Sequence, residues 1–360
     1  MAINLTSKYS DRVSERFRRS TLTGGVSNKE YSFEGVKTVK VFSVDTVPLT
    51  DYSRSGTARY GTPAELGDTV QELTMNQDKA FTYTIDKGND KEQLNVKAAT
   101  LSLRRQIDEV VMPALDKHRF SVWCRKAGTI RPLAAVPDKH SITGLIMDCT
   151  EVLDDALVPE SGRTLFITAS MYKVLKENPD FLSNDRLGEA ALAKGQVGEI
   201  DGMKVVKVPN SYLPAGVYWL ITHKSAVLGP AKLQDYKIHK DPPGINGDLV
   251  EGRVLHDAFV LEAKKEGVYV AAEASKVAAL PVISKDAPAA GSFALTCETA
   301  GARLFFTMDG SDPRYSETAL PYTGQVEYAA EGYGAGTVVR AVAEDPAGGI
   351  FASGVASEVL

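Results

Sequence analysis

Cysteine is scarce in this chain: three among 360 residues, Cys124, Cys149 and Cys297, far apart and without a CxxC pair. That excludes a disulfide framework and a zinc site built from paired thiolates, and the three read as reduced thiols. Long apolar runs are missing too. The longest, Val217–Thr222, has about six residues, against roughly 20 for a membrane-spanning helix. The start, MAINLTSKYSDRVSERF, lacks the apolar segment of a secretory signal. A cytoplasmic chain with an unmodified Asn4-Leu5-Thr6 sequon is therefore expected. No GxGxxG, HExxH or GxSxG occurs, and His118, His140, His223, His239 and His256 never fall at metal-ligand spacing, so each reads as structural or surface. Gly61 to Thr69 imitates a phosphate loop, but five residues separate its glycines and Asp68, where a lysine is needed, repels phosphate. Asp154-Asp155 read as surface acids near a helix end, and neither they nor Asp309 with Asp312 are expected to act as a general acid and base. No catalytic residue, cofactor or metal is expected. A protein of this size without a reactive constellation is predicted to be structural.

What is present is ordinary globular composition, 43% hydrophobic and 24% charged, in a length that predicts two or three domains. The charge is unevenly placed. Residues 276–360 hold five Lys/Arg against ten Asp/Glu, which accounts for the whole net charge of −5. Just before, AAEASKVAALPVISKDAPAAG (271–291) is rich in Ala, Pro and small polar residues, as linkers are. A boundary near Ser275 is expected, with units on either side that fold independently.

Tyr9, Val13 and Phe17 form an i, i+4, i+8 stripe, with Arg12, Arg16, Arg18 and Arg19 at other positions. This predicts a short basic amphipathic helix, either solvated or set against a phosphate backbone or acidic partner. Residues 36–44 read as a strand whose partner lies in 71–86. Between them, 46–68 is too long and polar to pack on its own domain, and carries Tyr52, Arg54, Arg59 and Tyr60. A two-stranded arm with such a tip is marginal alone, so a neighbouring subunit is expected to cover it. A helical period runs from Glu92 to Lys126, which Pro113 is expected to bend or split at Val111-Met112. A helix over 138–157, a strand at 164–167 and a helix 171–177 capped by Ser170 follow. Asp201-Gly202 between extended runs predicts a type I′ hairpin. Residues 217–222 read as a buried strand, and 248–261 with 268–271 as a final antiparallel pair. The mixture predicts an α+β fold.

This order of elements resembles the major capsid protein of tailed bacteriophages, the Hong Kong-type capsid fold. The sequence resembles a capsid family from phages and prophages of Gram-positive bacteria in EGVKTVKVFSVDTVPLTDYSRSGTARYGTPAELGDTVQELT (34–74), LRRQIDEVVMPALD (103–116), KGQVGEIDGMKVVKVPNSYLPAG (194–216) and LQDYKIHKDPPGINGDLVEGRVLHDAFVLEAKKEGVYV (233–270). The resemblance implies an N-terminal arm (1–34), an extended E-loop (35–91), a peripheral domain with spine helix (92–137), an axial domain (138–235) and returning peripheral strands (236–274). A linker (275–290) then leads to the tail. The resemblance also implies hexamers and pentamers closing an icosahedral head around double-stranded DNA in a virion assembled in the bacterial cytoplasm. Tyr52, Arg54, Arg59 and Tyr60 would make inter-subunit contacts, and Arg12, Arg16, Arg18 and Arg19 would face the interior or a scaffolding protein. A portal is a further implied partner. An encapsulin-like compartment shares this fold and is the alternative reading.

LFFTMDGSDPRYSETALPYTG (304–324) resembles the C-terminal immunoglobulin-like module of chitobiase and hexosaminidase-type enzymes. Residues 291–360 are accordingly expected to form a β-sandwich, an outward-facing decoration domain that meets host-surface carbohydrate. Taken alone, this tail suggests a carbohydrate-active or carbohydrate-binding protein. The preceding residues lack the repeating βα units of a glycosidase barrel.

Overall fold

The computed structural model describes residues 21–360 apart from 32, 34–36, 45, 48, 58, 64, 88–98, 179–197, 287–289, 329–332 and 335. An antiparallel pair opens it: β1 (Thr38–Val44) and β2 (Asp68–Thr74), in register from Thr38 opposite Thr74 to Val44 opposite Asp68. The partner expected over 71–86 is in fact two strands. Met75 is fully buried at the corner and the Asn76 N–H donates to Asp257 Oδ2 at 2.9 Å, so β3 (Gln77–Asp86) leaves for another sheet.

The spine consists of α1 (Ala99–Gln106), a π-helical turn over Ile107–Val111 and α2 (Met112–Arg125). Proline at 113 has no N–H for the carbonyl four residues back. The expected bend is this π turn, in which the Met112 N–H reaches the Ile107 carbonyl, five residues back.

After β4 (Thr129–Leu133) come α3 (Ile142–Asp155), β5 (Arg163–Thr168) and α4 (Ala169–Lys176). Thr168, not Ser170, caps α4: its backbone is extended and its hydroxyl accepts the Met171 N–H. The hairpin of β6 (Glu199–Ile200) and β7 (Met203–Val208) turns on Asp201 and Gly202 at φ 48° and 70°, as their type I′ chemistry requires. Next come β8 (Val217–His223), β9 (Val227–Leu228), β10 (Ala231–Lys240), β11 (Gly247–His256), β12 (Phe259–Val260) and β13 (Val268–Glu273). They belong to three sheets, a six-stranded one ordered β4-β13-β8-β5-β7-β6, a three-stranded β10-β11-β3 and the pair β12-β9.

The expected pairing of 248–261 with 268–271 is not formed. A 3₁₀ segment, Glu262–Gly267, separates the two stretches. β13 is buried at all but its last residue and takes a central place between β8 and β4, while β11 lies between β10 and β3. Alternate residues of the large sheet feed two cores. Phe166, Leu220 and Val270 meet Phe120 and Trp123 of α2; Leu165, Trp219 and Ile221 meet Ile142 and Ile146 of α3.

The tail holds β14 (Val282–Lys285), β15 (Phe293–Thr296), β16 (Arg303–Thr307), β17 (Leu320–Pro321), β18 (Val338–Glu344) and β19 (Ala356–Val359). The pair β14-β15 and the four-stranded sheet β17-β16-β18-β19 share one core of Phe293, Leu295, Phe306, Val339 and Ala341. Because β14 pairs with β15, the stretch expected as a linker supplies the first strand of the tail.

Candidate assembly surfaces

The arm made by β1 and β2 has two apolar faces and covers only one. On the inner face Val41 and Leu73 join Phe33, Met75, Leu228 and Leu261 in a cluster, with Phe33 stacked on Phe259 at 5.8 Å. The side-chain amide of Gln71 clamps that base to the body, donating to the Val260 carbonyl at 3.0 Å and accepting the Glu262 N–H at 3.0 Å. Side chains of a strand alternate faces, so Phe42 and Val44 point the other way, Phe42 opposite Val70. Phe42 is 65% exposed, and toward the tip Leu49 is wholly exposed. The outer face of this two-stranded arm thus leaves Phe42, Val44 and Val70 exposed.

At the tip, the Tyr52 and Tyr60 rings meet edge to face at 5.1 Å. The Ser53 N–H donates to the Arg59 carbonyl at 3.0 Å, and Arg59 Nε to the Gly56 carbonyl at 3.1 Å. Gly56 and Gly61, at φ 85° and 82°, turn the chain there. Tyr52, Arg59 and Tyr60 are thus brought together, with Arg54 exposed beside them. Arg12, Arg16, Arg18 and Arg19 lie outside the described residues.

Where the spine meets the arm, the structure assembles a polar cluster that no sequence spacing announced. His118 Nε2 lies 2.8 Å from Asp257 Oδ1, which also accepts the Ala258 N–H at 2.9 Å. The His256 ring stands edge-on to His118 at 5.1 Å. Burial, helped by the neighbouring imidazole, lowers the His256 pKa to about 4. Burial pushes the Asp257 carboxyl up, but hydrogen bonds from His118, Asn76 and Ala258 outweigh it and hold the group below the usual carboxylate range. Two residues earlier in α2, buried Asp116 accepts from the hydroxyls of Thr21 and Thr23 at 2.7 and 2.5 Å and from the Leu22 N–H at 2.9 Å. This pins the lead-in segment to the spine.

The acids considered for catalysis have other partners. Asp154 receives a 2.6 Å bond from buried Arg163, Asp309 accepts from Ser311 and Thr318, and Asp312 is held by Arg314 and Lys265. Among the described residues no group of three or more His, Cys, Asp or Glu is arranged to hold a metal ion, and no helix is long and apolar enough to cross a membrane.

No protein-family profile matches the chain. No curated protein matches it in sequence. Solved structures do match. A structure of Mycobacterium phage Che8 superposes with a TM-score of 0.64 at 22% identity, covering 75% of this chain and 98% of its own. The capsid structure of the cyanophage P-SCSP1u gives 0.62 at 15% identity, over 75% of this chain and 93% of its own. The mature capsid of bacteriophage PhiM1 gives 0.58 at 11%, over 75% and 92%. The chain has a phage capsid-protein fold. Since these structures are matched almost over their full length, about a quarter of this chain lies outside the shared fold.

Proposed function

We propose that this chain is the major capsid protein of a tailed phage or prophage of Gram-positive bacteria. Copies assemble into hexamers and pentamers that close an icosahedral head around double-stranded DNA, in a virion built in the bacterial cytoplasm. The observation that carries this reading is the arm, whose outer apolar face, Phe42 with Val44 and Val70, stays largely exposed among the described residues. The capsid-protein fold supports it. In this reading the neighbouring subunit covers that face, and the tip residues Tyr52, Arg54, Arg59 and Tyr60 make the contact. Arg12, Arg16, Arg18 and Arg19 face the packaged DNA or a scaffolding protein, and a portal occupies one vertex.

The quarter of the chain outside the shared fold is of the size of the tail from Lys276 onward. We read that tail as an immunoglobulin-like module facing outward, where its acidity suits solvent and where it meets host-surface carbohydrate. Sedimentation velocity of the purified full-length protein tests the shell: megadalton particles are expected, and a single slow monomer at every concentration and salt would overturn it.

A further inference from the structure

Three consecutive carbonyls at the point where the spine leaves its helix take their donors from the C-terminal module. The Lys126 carbonyl accepts from the Tyr315 hydroxyl, that of Ala127 from Arg314 Nη1 at 2.7 Å, and that of Gly128 from Arg314 Nη2 at 3.1 Å. A helix end leaves its last carbonyls without partners of its own. Here side chains nearly 190 residues away supply donors to the C-cap carbonyl and to the two carbonyls that follow it.

The donor is itself built in. Asp312, 2% exposed, receives Arg314 Nε and Nη2 at 3.1 and 2.8 Å and Lys265 Nζ at 2.6 Å. Lys126 Nζ returns a bond to the Arg314 carbonyl at 2.6 Å. The Tyr315 ring lies between three cations, Lys126, Lys265 and Arg314, at 5.4 to 5.8 Å. A second anchor is apolar: Phe351 of the module is buried in the core that contains Phe120 and Trp123 of the spine, and its N–H donates to the Lys276 carbonyl at 2.7 Å. Arg125, the last residue of α2, donates to the Gly348 carbonyl at 2.7 Å and stands over the Phe351 ring. On its arm-facing side, Asp309 and Ser311 of the module line a cleft with Val70 and Gln71 of β2.

A detachable ornament needs none of this. Buried ion pairs and buried carbonyls are costly when one side is removed, and this set spans both units. We propose that the C-terminal module is an integral brace of the shell subunit, holding the exit of the spine helix. This rests on the capsid reading and deepens it: the module keeps a fixed orientation on the shell, so whatever it binds is presented at a set angle.

Hydrogen exchange on full-length protein tests the brace. In Arg314→Met, amides of 120–130 exchange roughly 10-fold faster or more than in the wild type, as loss of a charged hydrogen bond implies, while 338–344 inside the module keep their protection. Tyr315→Phe, which removes one donor and keeps the ring, gives an intermediate increase. A chain ending at Val277 yields no soluble shells. Unchanged exchange at 120–130 in both variants, or shells of wild-type diameter and melting temperature from the shortened chain, would overturn the brace. Absence of shells from the wild type would instead count against the capsid reading, and the exchange comparison on the monomer would still decide the brace.

Discussion

His256 lies at the end of β11, 4% exposed, and its pKa is lowered from 6.5 to about 4 by burial and by His118. The unfolded chain therefore takes up this proton at a higher pH than the folded one. Its contribution to stability is complete above pH 6.5 and is lost as pH falls from there toward 4, on the order of 3 kcal/mol in all. Asp257, with its pKa held down, loses its contribution at still lower pH, as its carboxylate is protonated. The melting temperature should thus fall between pH 7 and pH 4.5, and the fall should be shallower in His256→Gln. Equal slopes for the two proteins would contradict this. At the arm's tip, Arg54 and Arg59 are exposed, so reversing both, Arg54→Glu with Arg59→Glu, should leave the circular dichroism of the monomer unchanged. Shell closure should nevertheless fail, because a desolvated pair broken on one side costs about 3 to 5 kcal/mol. Normal shells would show these arginines to be solvated. The length and polarity of the loop singled out these tip residues in the sequence, and their contact with a neighbouring subunit is what the double reversal tests. The pairing of His118 with His256 was not legible: they come from different elements, and only the placement of β11 beside the spine brings them together.

The arm, β1 with β2, shows how far local pattern reaches. Its existence followed from β-branched residues in 36–44 and its exposure from the length of the loop. The corner at Met75 did not, because it depends on a core assembled from Phe33, Leu228 and Leu261. Likewise the Asp201-Gly202 hairpin was readable from two residues, whereas the separation of β11 from β13 is a matter of sheet order among strands distant in sequence. Pro113 foretold a break in the spine, and its form, a π turn, came from the missing N–H. One prediction belongs here. Phe42→Ser with Leu49→Ser removes side chains that are largely or wholly exposed, so the monomer's melting temperature should change little. The protein concentration at half assembly should rise by about 10-fold or more per substitution, since burying such a side chain contributes about 1.5 to 3 kcal/mol. A light-scattering titration reads this directly. An unchanged assembly midpoint would mean that the outer face of the arm is not an interface.

For the whole molecule, composition announced two units, and the acidic tail does have its own core. Its attachment was hidden: Lys126, Lys265 and Phe351 carry no mark in the sequence, and Arg314 reads as one more loop cation until the end of α2 is placed beside it. The stretch 275–290, which contains β14, looked like a linker because small residues and prolines suit a strand edge and a turn as well as they suit a tether. A capsid-like body and a braced module together make a subunit whose unfinished surface is the arm. Electron microscopy of the purified full-length protein tests that most directly. The expected result is closed shells tens of nanometres across, built of hexamers and pentamers, with each arm lying on a neighbour. A field of separate, stable monomers under all assembly conditions, with residues 46–68 protected from protease, would contradict it.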